Sequence, residues 1–149
     1  MEITNTERGI LMEDKINVDE IVEDIKELNN THDHTQDYGS QDIDEGKLMS
    51  ILAYISVLVL IPLFVSKSKY VRYHTNQGLV LFGAELVWNV LFGIVSGILG
   101  GIPLIGILVG IIGWLANLVF IVVSILGIVN VINGRAKDLP VIGKIRILK

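Results

Sequence analysis

The chain has 149 residues, 51% of them hydrophobic, a mean hydropathy of +0.59 and no cysteine, which excludes disulfides and thiolate chemistry. The formal charge of −4 is an average of two unlike parts. Residues 1–47 hold 14 acidic and 4 basic residues, a charge of −10, whereas residues 48–149 hold 8 basic residues against Glu85 and Asp138, a charge of +6.

This division separates an acidic N-terminal tail, 1–47, from a membrane domain, 48–149. No basic region followed by an apolar run opens the chain, so a cleaved signal peptide is not expected. Glu7-Arg8-Gly9-Ile10-Leu11-Met12 is what a ribosome-binding site and spacer encode when translated in frame. Met12 is therefore a candidate native start beside Met1.

Within the tail, residues 17–28 read as a short amphipathic helix. Val18, Ile21, Val22, Ile25 and Leu28 recur at helical spacing, and Asn17 with Glu20 forms a capping-box pattern. Three turns are marginal alone, so this helix either docks on a partner or frays. Residues 31–46 are polar and acidic, the composition of a disordered linker. His32, Asp33, His34 and Asp37 could bind a divalent metal weakly, but ligands from one short stretch without supporting contacts favour a solvated linker, and no metal or cofactor is expected.

Three apolar segments follow: 48–66, 77–99 and 104–132. Each meets the length of a membrane span, the third reaching about 43 Å against a hydrocarbon core of about 30 Å. Pro62 falls in the last turn of the first segment, where it kinks or ends a helix at small cost. Gly100-Gly101-Ile102-Pro103 makes a tight, uncharged hairpin between the second and third. The expected fold is an all-α integral membrane protein, three transmembrane helices in a small bundle, closed by a basic C-terminal tail, 133–149.

Basic residues set the expected orientation. Lys67, Lys69 and Arg72 follow the first segment, Arg135, Lys137, Lys144 and Arg146 follow the third, and the hairpin has none. Three spans then place loop 67–76 and the C-terminus in the cytoplasm and the N-terminus outside a bacterial cell membrane.

Small residues mark the helix contacts: Gly78 and Gly93 on the second segment, and Gly106, Gly110 and Gly113 on the third, suit close backbone approach. Glu85 differs in kind, since a carboxylate within a span costs on the order of 2.5–3.5 kcal/mol and invites a functional explanation. Asn89, one turn on, and Asn117 on the third segment complete a candidate intramembrane polar site. Arg72, His74, Asn76 and Gln77 form a candidate interfacial site; anchoring accounts for Arg72 and the tyrosines, but not for a histidine and two amides in succession.

The order of Ile61-Pro62-Leu63, then Val71-Arg72-Tyr73-His74-x-Asn76-Gln77-Gly78, then Gly134-x-Ala136-Lys137-x-Leu139-Pro140-x-Ile142-Gly143, resembles uncharacterised small bacterial membrane proteins. These are related to the roughly twenty-kilodalton Tic component of chloroplast protein import. The resemblance covers about residues 47–149 and implies a scaffold or protein-conducting assembly. Those relatives have four spans, so a channel role carries over poorly, and the zinc ribbon of some bacterial members has no cysteines here.

One histidine, one intramembrane glutamate and scattered serines supply no nucleophile with a base, so no enzyme activity is expected. The leading expectation is a non-enzymatic assembly, scaffold or accessory component in the bilayer, acting through helix contacts with its own copies or a membrane-protein partner. The alternative is a small transport, channel or lipid-binding protein with a polar path around Glu85 and His74. No nucleic-acid partner is expected, because the few basic residues sit at membrane boundaries.

Overall fold

A computed structural model describes residues 18–148. They divide into two units, one ending at Thr31 and one beginning at His32. In the first, residues 18–28 form a helix, α1, on which Val18, Ile21, Val22, Ile25 and Leu28 all stay exposed, an apolar stripe along one face. Asn17, its expected cap, and the alternative start at Met12 lie outside the described residues.

The second unit is all helical. A 3-10 turn, Thr35–Asp37, leads into α2, Ser40–Leu52; a second 3-10 turn, Ser56–Val59, leads into α3, Leu60–Val65; then come α4, Lys69–Leu99, and α5, Ile105–Ile132. No strand forms among the described residues; a single antiparallel bridge joins Asp33 to Lys137.

Residues 31–46 are not a disordered linker. From His32 onward they fold onto the other elements: the His34 amide donates to the Ala136 carbonyl at 2.8 Å, and the Asp138 amide to the His32 carbonyl at 3.0 Å. Ser40 and Gln41 begin α2, which lies so close to α4 that a Cβ on Gly46 would stand 2.9 Å from Val71 Cγ2.

Of the three expected spans, two remain as candidates among the described residues. Among those residues, α4 and α5 alone are long and apolar enough to cross a membrane, and most of their surface is exposed. The first apolar segment breaks after Ala53: Ile55 leaves helical geometry, Ser56 takes a φ of 42°, and the helical stretch that resumes at Ser56 ends at Val65, too short at about 1.5 Å per residue to span. Pro62 is the third residue of α3, in the turn before the helix ends at Val65, as expected, with the Ser66 amide donating to its carbonyl. Two packing gains hold the break. Gly78 lies directly against the Ala53 carbonyl, leaving no room for a Cβ, and the Tyr54 ring fills the space beside Gly127.

The second apolar segment is also longer than hydropathy shows. Helix α4 starts at Lys69, with the Ser68 side chain accepting from the Val71 amide, so residues 69–76 are helix and not loop. Ten residues from Tyr70 to Leu81 are buried on it, an apolar and polar mixture that reads as a junction only when burial is invisible.

The hairpin turn is as tight as expected: a Cβ on Gly106 would meet the Gly100 carbonyl at 2.3 Å. At the other end, α5 closes through a Schellman motif. Gly134, at a φ of 66°, donates to the Val131 carbonyl, and Arg135 to that of Asn130. Residues 32–52 and the C-terminal tail therefore meet at one end of the helical pair. The opposite-sides arrangement expected for residues 32–47 and 133–148 is excluded by their mutual hydrogen bonds.

Candidate functional site

The first three turns of α4 organise a polar cap at that end. Helical spacing gathers Tyr70, Tyr73, His74 and Gln77 along it, and the sequence supplies backbone for each to hold. Gln77, fully buried, uses both ends of its amide: Nε2 donates to the Lys137 carbonyl at 3.1 Å, and Oε1 accepts from the Leu139 amide at 2.7 Å. Asn76 repeats the device further along the tail. Its Nδ2 donates to the Ile145 carbonyl at 2.7 Å, while Oδ1 accepts from the Ile147 and Leu148 amides at 2.6 and 2.8 Å. Two adjacent amides thus hold residues 137–148 against α4.

His74 is fully buried, with Nδ1 2.8 Å from the Tyr54 hydroxyl and rings of Tyr54, Tyr70 and Tyr73 at its edges. Its Nε2 faces the Arg135 carbonyl without hydrogen-bond geometry. The histidine therefore ties the break after α2 to α4. Asp42, in the first turn of α2, accepts from the Tyr70 amide at 3.0 Å and so helps cap α4 across 28 residues of sequence.

A charged group surrounds Asp138. The Tyr73 hydroxyl donates to its Oδ1 at 2.8 Å, Arg146 reaches the same oxygen at 3.4 Å while lying 4.9 Å over the Tyr73 ring, and His34 Nε2 stands 3.5 Å from Oδ2. Burial raises the Tyr38 phenol above its ordinary value; the Arg146 charge opposes this, and Asp37, Asp138 and Asp42 add to it. At Asp33 burial also pushes upward, but hydrogen bonds from the Thr35 hydroxyl and amide, with the charges of Lys137 and Arg135, win and leave the carboxyl below its ordinary value.

Of the interfacial candidates, His74, Asn76 and Gln77 come together in this cap, and Arg72 is exposed beside them. The intramembrane candidates do not join them. Asn89 Nδ2 bonds the Glu85 carbonyl of its own helix at 2.8 Å, Asn117 Nδ2 bonds that of Gly113 at 2.8 Å, and the Glu85 carboxylate makes no hydrogen bond or ion pair among the described residues. Of the glycines, Gly78 receives the Ala53 carbonyl, Gly113 receives the Phe92 ring, Gly106 abuts the turn, and Gly93 and Gly110 meet nothing within 4 Å. The His32 and His34 rings lie 4.3 Å apart and His34 Nδ1 stands 3.5 Å from Asp37, yet among the described residues no three His, Asp or Glu side chains are grouped to hold a metal.

Sequence reasoning missed that Tyr54 pairs with His74 and Tyr73 with Asp138, and that the tail carbonyls take part. A signal existed for the first two pairs, since tyrosines in or beside apolar segments need a partner for the hydroxyl when buried.

A family profile described as the magnetosome magnetite crystal formation protein family matches residues 45–148. Magnetosome protein MmsF of Paramagnetospirillum magneticum (strain ATCC 700264 / AMB-1) is 34% identical over 102 residues, covering 64% of this chain and 79% of that protein. No solved structure matches. Both matches overturn the resemblance to Tic-related import proteins: the motifs that suggested it, from the start of α3 to the tail, lie within the profile. With the profile covering well over half its length, the chain belongs to the magnetosome magnetite crystal formation protein family.

Proposed function

We propose that this chain is a non-enzymatic accessory component of a membrane in which a magnetite crystal forms, working by contact rather than by chemistry. In this reading α4 and α5 lie in the bilayer as a hairpin, and the cap stands at the cytoplasmic face. The basic residues at the cap, against none in the hairpin turn, support that orientation. The reading is carried by one observation: the polar side chains on the first turns of α4 bond the chain itself, Gln77 and Asn76 to the tail backbone, Tyr73 to Asp138 and His74 to Tyr54. A catalytic group must reach a substrate, and these are committed to the fold. Large apolar surfaces remain open to partners: the outer faces of α4 and α5, and the stripe on α1. Contacts with membrane-protein partners or further copies would use these faces.

The test is expression of this chain in a Paramagnetospirillum magneticum strain deleted for MmsF, with photocrosslinkers at Val22 and Gly93. Crystal dimensions by electron microscopy should return toward those of the undeleted strain, and crosslinks should join the chain to protein. Correct insertion with crystals unchanged from the deletion strain removes the crystal-forming role; crosslinks to lipid alone remove the assembly role.

A further inference from the structure

Where α4 begins, a cleft of about 580 Å³ opens between residues 37–38, the head of α4 and the tail. Its walls carry Lys67, Lys69, Arg72 and Arg146, with Tyr73 and Asn76 beside them. The one carboxylate among the lining residues, Asp37, faces His34 Nδ1 at 3.5 Å. Lys67 and Lys69 are exposed and make no hydrogen bond or ion pair among the described residues. Arg146 is held in place over the Tyr73 ring and against Asp138. Lys67 and Lys69 bring two exposed like charges to one cleft, which an anion entering it would offset, and concave walls concentrate their field.

The N-terminal amides of α4 are not the attraction, because Asp42 takes that of Tyr70, the Ser68 hydroxyl that of Val71 and the Ser68 carbonyl that of Arg72. The side chains are. Lysine and arginine together suit a phosphate group, which takes a point charge from one and paired N–H groups from the other.

The flank of the cleft narrows the source of that phosphate. Helix α3 ends just before Lys67, with Phe64 81% and Val65 64% exposed, and Leu148 lines the cleft itself. Water does not favour two such side chains next to a cationic cleft, whereas a lipid presents a phosphate and acyl chains in that order. We propose that this cleft binds the phosphate headgroup of an anionic membrane lipid of the phosphatidylglycerol class, its acyl chains lying along Phe64 and Val65.

Native mass spectrometry of the full chain in detergent micelles tests this with phosphatidylglycerol, phosphatidylcholine of the same acyl chains, and soluble glycerol 1-phosphate. Phosphatidylglycerol should bind at least about tenfold better than phosphatidylcholine, and Lys67→Gln with Lys69→Gln should abolish that preference. Lys144→Gln, an exposed tail position outside the cleft, should keep it. Equal binding of the two lipids by the unmodified chain overturns the proposal whatever the variants do. Equal loss in Lys144→Gln overturns it in favour of diffuse charge, and displacement of phosphatidylglycerol by equimolar glycerol 1-phosphate overturns the lipid assignment in favour of a free phosphate compound.

Discussion

In the cap, Gly46, Gly78 and Gly127 each sit where a Cβ would come within 3 Å of another part of the chain; in the hairpin, Gly83, Gly93, Gly97 and Gly110 have nothing within 4 Å. Polar residues divide the same way. Asn76 and Gln77 reach across 60 or more residues of sequence to the tail, while Asn89 and Asn117 bond carbonyls four residues back on their own helices. One pair of helices thus has a cap end determined by contacts within the chain and a hairpin end whose outer surface is left for lipid or protein. Glycine in the cap is a condition of folding; in the hairpin Gly83, Gly93, Gly97 and Gly110 are open space, whereas Gly100 and Gly106 at the turn and Gly113 against Phe92 are again closely approached.

Substitution at glycine should break this contrast most visibly. Gly78→Val would drive a side chain into the Ala53 carbonyl, whose oxygen lies 1.8 Å from the Cβ position, and neither backbone can yield without undoing the break after α2. The expected loss is at or above the upper end of the about 1–3 kcal/mol typical of overpacking, seen as an early thermal transition in near-ultraviolet circular dichroism. Gly83→Ala or Gly97→Ala should change the same transition by less than about 0.5 kcal/mol. A Gly97→Ala variant as unstable as Gly78→Val would show that the hairpin is packed like the cap.

A smaller effect is expected from the amide pair. Gln77→Ala leaves the Lys137 carbonyl and the buried Leu139 amide without their partner, at about 1–3 kcal/mol for each buried group orphaned. Limited proteolysis should then cut within residues 137–148, where the unmodified chain resists; Asn89→Ala, whose bond stays within one turn of α4, should leave the digest unchanged.

Acid gives the mildest perturbation. Asp33 has a folded value lowered from 3.8, so its contribution is present above 3.8 and is lost as pH falls through the lower folded value. Amide exchange at Thr35, whose N–H donates to Asp33 at 2.9 Å, should quicken in that window beyond the intrinsic pH effect, and Asp33→Asn should remove the transition. Identical pH profiles for the two proteins would show that the Asp33 contact contributes nothing.

What hydropathy could see was the hairpin. The third segment, 104–132, matches Ile105–Ile132, and the turn stands at Gly100 to Pro103, because lipid-facing helices are defined by what they lack. The cap was obscured for the opposite reason. Lys69 and Arg72 made the head of α4 look like a loop, although Ser68 at its start and an unbroken run without Gly or Pro to Gln77 were readable helix signals. Uncharged residues 48–66 suggested a span because hydropathy sums a window and cannot register a break within it. Ile55, Val57 and Val59 around Ser56, and Pro62 beyond, were the local warning. Asn76 and Gln77 stood out as polar residues in need of an explanation. That their partners would be tail carbonyls and amides could not be read, since backbone groups carry no sequence identity.

One further consequence belongs to α4, which runs for 31 residues from Lys69 to Leu99 without a proline. Its first turns are clamped by the tail and α2, and its last turns stand among the exposed apolar residues. A continuous helix is a stiff rod at this length, and sharp bends need a proline, a bulge or an inserted group. A thinner bilayer that makes the hairpin lean must therefore turn the cap through the same angle. On the proposed placement in a bilayer the chain would act as a lever, converting membrane thickness into the attitude of the cap.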